Sequence, residues 1–311
     1  MNFSCVLRPV WLACCLAIQA CLFPAYLAAQ GLPYRQQKDV VFAEVHGAGL
    51  LMDVFRPEGK TNGLAIVDVV SGAWYSDRNK IRDHTLAQLY STFCGRGYVV
   101  FAARPGSKTR YTAAEMVQHV ELAIRYAKEH AEEYHIDPDR LGLTGASAGG
   151  HLATLTALAP RPGKPEAKLA LERQSTAVKA VGVFFPPTDF LDWSGDGKPA
   201  DPGVLGPLLF VGGSQGRTAE EIQAQARAIS PFHQVKGRPE APFFLIHGDA
   251  DKVVPLSHSR KLVEAIQAAG GDARLLVKAG GGHPWMTLPE EVKVLADWFD
   301  ERLGQTTAAK P

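Results

Sequence analysis

Leu141-Gly142-Leu143-Thr144-Gly145-Ala146-Ser147-Ala148-Gly149-Gly150-His151 is the stretch on which the fold turns. Leu141 to Thr144 is a very short apolar strand entering Gly145, and beyond Ser147 an apolar helical run continues through Leu152 and Leu155. So tight a strand-to-helix turn leaves little clearance, which accounts for the small residues flanking Ser147 and lifts its hydroxyl out of the backbone. The helix start also aims the Ala148 N–H at an oxygen that becomes negative during acyl transfer. The bare G-x-S-x-G pattern is weak, since a flexible turn also satisfies it; between a strand and a helix it becomes strong.

A serine at its ordinary pKa is a poor nucleophile, so a base must take its proton and an acid must hold that base in one tautomer. In chain order the pair on offer is Asp251, in His247-Gly248-Asp249-Ala250-Asp251-Lys252-Val253-Val254-Pro255, and His283, in Gly280-Gly281-Gly282-His283-Pro284-Trp285. Both follow strand-like runs, and in a parallel sheet the loops after successive strands gather at one edge. Asp249 is the rival acid; Asp251, deeper in its loop and ahead of the Val-Val-Pro run, is preferred, with Asp249 shaping the turn. His151 is expected to pack or bond locally and His247 to end a strand beneath the acid loop. His119, His130 and His135 fall on the long helix described below or at its end.

A second donor to the developing oxyanion is also required. Val70-Ser71-Gly72-Ala73-Trp74 ends the apolar strand Leu64 to Val70, and its small residues allow close backbone approach, so the N–H groups of Gly72 and Ala73 are expected to join that of Ala148. The plainer reading is a tight strand-ending turn.

Around these motifs the chain opens with β-rich runs, Asp39 to Val45, Leu50 to Phe55, Leu64 to Val70 and Tyr98 to Ala102. From Thr112 the period changes: Thr112 with Glu115 forms a capping box, and Met116, Val117, Val120, Ile124, Ala127 and Ala131 recur at helical spacing as far as Asp137-Pro138. Val178 to Phe185, Phe243 to Ile246 and Ala273 to Val277 add strands; helices built on Leu262, Val263, Ile266 and on Val292, Leu295, Phe299, Leu303 end at Gly270 and Gly304. Apolar strands alternating with amphipathic helices predict a mostly parallel central sheet flanked by helices, with the first strands as an antiparallel edge. Segment 186–235 breaks the rhythm and reads as a small cap insertion or as a long surface excursion. The tail after Gly304 is expected to fray.

The 311 residues are 46% hydrophobic with a formal net charge of +1, enough for a sizeable core and too little charge to attract nucleic acid or anionic lipid. H-E-x-x-H, a cysteine pair for zinc, a phosphate-cradling loop and G-x-G-x-x-G are all missing from the sequence, so no metal or organic cofactor is expected. After Arg8, Pro9 to Ala29 carries no charge and ends in Leu27-Ala28-Ala29, which predicts a cleaved export signal at 1–29, a mature domain at 30–311 in the periplasm or outside the cell, and no stable membrane insertion after cleavage. A retained membrane anchor is the competing reading. A lipoprotein site at Ile18-Gln19-Ala20-Cys21 is a third, poorly matched at Gln19. Removal of the signal leaves Cys94 as the sole cysteine, without a disulfide partner and suited to buried packing.

The chain resembles the α/β-hydrolase superfamily, especially bacterial carboxylesterases near the feruloyl-esterase-like and prolyl-oligopeptidase-like branches, over about residues 38–303. The resemblance rests on Ile136-Asp137-Pro138-Asp139-Arg140 running into the elbow through His151, and on His247 through Pro255. It implies the α/β-hydrolase fold, Ser147 as nucleophile, Asp251 as acid and His283 as base. Val70 and Ser71 depart from the family's His-Gly-Gly-Gly/Ala-Trp form, which Gly72-Ala73-Trp74 retains; this weakens assignment of a substrate class more than of hydrolysis. Trp74, Tyr75 and Arg104 are candidate pocket residues beside packing or surface roles. The expected activity is hydrolysis of a small carboxylic ester through an acyl-serine; an exopeptidase or amidase, or a noncatalytic binder on the same scaffold, are the alternatives. The oligomeric state is left open.

Overall fold

The computed structural model describes residues 31–304; the export signal expected at 1–29 and the tail after Gly304 lie outside the described residues. β1 (Tyr34–Val45) and β2 (Ala48–Pro57) form a hairpin whose two-residue turn, His46-Gly47, takes positive φ at both positions, the turn whose twist matches that of paired strands. β3 (Ala65–Val69), α1 (Arg78–Leu86), α2 (Leu89–Gly95) and β4 (Val99–Ala103) follow. Then come α3 (Ala113–Glu129), the short α4 (Ala131–Tyr134), β5 (Leu141–Ala146), α5 (Ala148–Leu158), α6 (Ala170–Arg173) and β6 (Ala180–Phe184). The insertion carries α7 (Pro202–Leu209), α8 (Ala219–Ala228) and α9 (Pro231–Gln234), and the chain closes with β7 (Phe243–Gly248), α10 (Ser257–Ala268), β8 (Ala273–Lys278) and α11 (Leu288–Gly304).

The eight strands form one sheet in the order β1-β2-β4-β3-β5-β6-β7-β8, antiparallel from β1 to β4 and parallel from there to β8. This is the α/β-hydrolase fold with a cap insertion. Every residue of β3, β4 and β6 is buried, as a strand covered on both faces requires. One core holds Met116, Val120, Leu152, Leu262 and Ile266 from α3, α5 and α10. The other holds Ile81, Phe93, Val292, Leu295 and Phe299 from α1, α2 and α11. Cys94 belongs to this second core, where burial pushes its thiol up to about 12, the state of a packing side chain.

Two local outcomes differ from the sequence reading. The long helix stops at Glu129, where His130 leaves helical geometry at φ −98°, ψ 20° and its ring Nδ1 lies 2.9 Å from the Tyr126 carbonyl, and α4 restarts after it. Residues 78–95, to which the sequence reading assigns no element, form α1 and α2. Asp77 caps α1 by accepting from the Asn79 N–H at 2.8 Å, yet Ile81 is the only buried residue of α1, so its apolar period is nearly silent.

Candidate active site

β5 delivers Ser147 at φ 53°, ψ −121°, a strained conformation held from both sides. The Ser147 N–H donates to the Phe184 carbonyl at 2.9 Å, and the Ser147 carbonyl accepts from the His151 N–H at 2.9 Å. Gly149 lets the first turn of α5 close on the end of β3: a Cβ there would stand 2.0 Å from the Val69 carbonyl oxygen.

The Ser147 hydroxyl lies 2.9 Å from His283 Nε2, and His283 Nδ1 lies 2.7 Å from Asp251 Oδ2. Three side chains from the loops after β5, β7 and β8 thus meet in one line, although Ser147 and His283 are 136 positions apart. Asp251 Oδ1 accepts from the N–H groups of Val253 and Val254 at 2.8 and 2.9 Å. Burial alone would raise the Asp251 carboxyl, but hydrogen bonds from His247, His283 and the Val254 N–H outweigh it and hold the acid well below the usual carboxylate range. Asp249 is used otherwise: it accepts from the Gly280 N–H at 2.7 Å, tying the acid loop to the loop that carries His283. The His283 ring packs on Phe185, centroids 4.4 Å apart.

Behind the acid stands a second serine-histidine-aspartate grouping. His247 Nδ1 is 2.7 Å from Ser259 Oγ, while Nε2 faces the Val254 carbonyl at 2.9 Å and Asp251 Oδ2 at 3.3 Å. Nε2–H is therefore shared between two acceptors, and Nδ1 accepts from the Ser259 hydroxyl. His247 and Ser259 are both fully buried and neither borders the cavity over Ser147, so no carbonyl reaches Ser259. The grouping braces Asp251 and is not a nucleophile site. The sequence reading placed His247 beneath the acid loop and missed this bond; the i, i+4 spacing of His247 and Asp251 was its one trace.

The turn after β3 corrects one expectation. Gly72 and Tyr75 exchange both backbone hydrogen bonds at 2.9 Å, with Ala73 and Trp74 at φ 49° and 60° between them, so the Gly72 N–H is already committed. Among the described residues no protein acceptor takes the Ala73 N–H. The Ala148 N–H, at the first position of α5, has no intrahelical acceptor. Ala73, in the turn after β3, and Ala148, at the start of α5, thus each offer an open amide.

A cavity of about 640 Å³ covers the serine, with Trp74, Phe185, Trp193, Val204, Val254 and Leu288 among its walls. That volume suits a small-molecule ligand. Trp193 and Val204 come from the insertion, which therefore roofs the cavity. Trp74 donates from Nε1 to His151 Nδ1 at 3.0 Å, and His151 Nε2 donates to the Ile229 carbonyl at 2.7 Å, joining the turn, α5 and the far end of the insertion. Burial pushes His151 down to about 4, which suits the neutral ring this pattern needs. Tyr75 and Arg104 do not border the cavity. The Tyr75 ring lies under the Lys108 ammonium, 5.1 Å from its centroid, and the Arg104 guanidinium is engaged by Asp39 and Asp53. Lys80, His84 and Lys108 do border it, and the sequence reading had singled out none of them. Among the described residues no group of three or more His, Cys, Asp or Glu side chains is placed to hold a metal, and no helix is long and apolar enough to cross a membrane.

Comparison with known proteins agrees with this geometry. The chain is 29% identical over 237 residues to the probable carboxylic ester hydrolase LipM of Mycobacterium tuberculosis, covering 75% of this chain and 52% of LipM. It is 26% identical to esterase LipQ of the same organism, covering 82% of this chain and 59% of LipQ. The chain thus spans about half the length of the curated relatives it matches. Among solved structures, a truncated carbohydrate esterase from gut microbiota superposes with a TM-score of 0.73 at 25% identity, covering 89% of this chain and 99% of that one. A native esterase of Thermogutta terrifontis gives 0.65 at 25% identity, with 90% and 95% covered. The BD-FAE family model matches residues 52–266, from β2 into α10, taking in Ser147 and Asp251 and ending before His283. The chain therefore belongs to the BD-FAE family, within the α/β-hydrolase superfamily.

Proposed function

We propose that this protein hydrolyses small carboxylic esters through an acyl-serine, with Ser147 as nucleophile, His283 as base and Asp251 as acid. The observation that carries the reading is the unbroken line from Ser147 Oγ through the His283 ring to Asp251 at the floor of an apolar cavity. Ser147 Oγ attacks the ester carbonyl carbon as its proton passes to His283 Nε2, and the N–H groups of Ala73 and Ala148 receive the oxyanion. Collapse breaks the bond to the alcohol oxygen, which leaves with the proton from His283. Water then gives a proton to His283 and attacks the acyl carbon, releasing the acid and restoring Ser147. Asp251, kept ionised by its hydrogen bonds, stabilises the imidazolium in both halves.

Turnover of 4-nitrophenyl acetate and butyrate is expected to fall at least ~10³-fold in Ser147→Ala and in His283→Ala. Labelling of Ser147 by a fluorophosphonate should disappear in Ser147→Ala. Retained turnover in either variant sinks the mechanism. Export with loss of residues 1–29 belongs to the same proposal, supported by the uncharged stretch from Pro9 to Ala29; an intact Met1 on exported protein would refute it.

A further inference from the structure

We propose that the cavity holds a basic subsite, built by Lys80 and His84 on α1 with Lys108 across the oxyanion turn, and that the ester it serves carries a carboxylate a few bonds from the scissile carbonyl. This rests on the ester-hydrolase reading and specifies its substrate.

Lys80 and His84 are four positions apart on α1, hence on one face, and both border the cavity. The Lys80 stem lies along the oxyanion turn: a Cβ on Gly72 would come 2.8 Å from its Cδ and 3.3 Å from its Nζ. The ammonium therefore sits beside the place where the scissile carbonyl must bind, which sets the short spacing between the two substrate groups. Its one carboxylate partner among the described residues, Asp83 at 3.3 Å, is 58% exposed and also borders the cavity, a pair weak enough to exchange for a substrate carboxylate.

His84 is fixed from behind. Its Nδ1 lies 2.7 Å from Oδ2 of the buried Asp68, which also accepts from the Tyr90 hydroxyl at 3.0 Å. With Nδ1–H so directed, Nε2 is left without a protein partner among the described residues, on a side chain only 11% exposed. Burial would depress His84, but the Asp68 carboxylate outweighs it and moves the imidazole above its usual range, favouring the protonated ring in which Nε2 also donates. Lys108 makes no salt bridge among the described residues, and its N–H donates to the Trp74 carbonyl at 2.9 Å, fixing it on the other side of the turn. Three basic side chains thus flank the oxyanion turn; of the two carboxylates that also border the cavity, Asp83 pairs with Lys80 and Asp201 caps α7 by accepting from the Gly203 N–H, and the other walls are largely apolar, so the basic side of the turn favours an acceptor with charge.

The test uses two matched pairs, mono-(4-nitrophenyl) glutarate against 4-nitrophenyl pentanoate, and 4-carboxyphenyl against 4-carbamoylphenyl butyrate, so that the anion lies on the acyl or the alcohol side. In one pair the ratio of kcat/KM, anionic over neutral, is expected at about 10 in dilute buffer and closer to 1 at high salt, since charge-assisted contacts of this kind are screened. Lys80→Met and Lys108→Met should each reduce that ratio several-fold. Affinities of monoethyl glutarate and ethyl pentanoate for the Ser147→Ala protein give the same comparison without turnover. Ratios at or below 1 in both pairs, or ratios that neither lysine variant changes, overturn the subsite. Failure to turn over any neutral ester would instead sink the ester-hydrolase reading, and the Ser147→Ala affinities would still decide the subsite.

Discussion

Gly248→Ala is a substitution of one methyl group, more than 30 positions from the base, that should disable the triad through packing alone. Gly248 ends β7 against the loop that carries His283: a Cβ would stand 2.1 Å from the Gly281 carbonyl oxygen, 2.4 Å from its carbonyl carbon and 2.8 Å from its Cα. Real Cβ atoms do not approach closer than 3.0 Å, so the two loops must separate by about 0.9 Å, with backbone on both sides and no flexible side-chain end to yield. The same two loops carry Asp251 and His283, now 2.7 Å apart, and are tied by the Ala250 N–H to the Gly281 carbonyl at 2.9 Å. A misplacement of about 1 Å costs roughly 10²-fold in rate, or about 2.7 kcal/mol of barrier. The assay is kcat for 4-nitrophenyl butyrate beside the far-ultraviolet spectrum and urea midpoint of the same preparation, so that a folded but slow enzyme is recognised. Folded Gly248→Ala protein with kcat within twofold of the parent would refute the reasoning, because the loops would then have absorbed the methyl group without parting.

His247→Phe removes the buried donor behind Asp251 and leaves the Ser259 hydroxyl without its acceptor; kcat should fall about 10-fold with KM little changed, and the acid limb of the pH–rate profile should move, whereas an unmoved limb would confine His247 to packing. Stability should fall as pH drops from about 6.5 toward 4: burial pushes both His151 and His258 down to about 4, so over that window the unfolded chain takes up protons that the folded one refuses, and the full contribution is present only above 6.5. Asp251 continues the decline at lower pH, since its depressed carboxyl contributes above the unfolded value and loses that contribution as pH falls through the folded one. Urea midpoints measured from pH 7.5 to 4.5 check this, with His258→Gln expected to flatten the curve; a level curve in the parent protein would contradict it.

The parts of this fold legible in the sequence are those whose signal is local and dense. Leu64 to Val70, interrupted only by Asp68, and Phe243 to Ile246 are dense apolar runs, and the elbow at Ser147 is confined between a strand and a helix, so their order alone brings Ser147, Asp251 and His283 to one edge of the sheet. Where the signal is sparse or cooperative the reading missed. α1 buries only Ile81 and so shows no periodicity, which also concealed Lys80 and His84 from any inventory of the cavity. The commitment of the Gly72 N–H depends on positive φ at Ala73 and Trp74, residues that do not advertise such a turn. Arg104 follows a strand at the correct edge of the sheet, but Asp39 on the neighbouring hairpin, brought round by a bulge at its own φ of 56°, claims its charge first.

The insertion leaves the scaffold and returns to it at nearly one point. The Phe190 N–H donates to the Ser230 hydroxyl at 3.0 Å and the Phe232 N–H to the Thr188 carbonyl at 3.0 Å. His258 Nδ1 accepts from the Thr188 and Asp189 N–H groups at 3.0 and 3.1 Å, and His151 holds the Ile229 carbonyl. With both ankles clasped to each other and to α5 and α10, the residues between them form a closed excursion, anchored further where Leu205, Leu208 and Leu209 of α7 enter the same core as Met116 and Val120 of α3. A replacement ceiling would therefore have to keep both the clasp from 188 to 190 and 229 to 232 and the apolar side chains of α7 that seal the core beneath it.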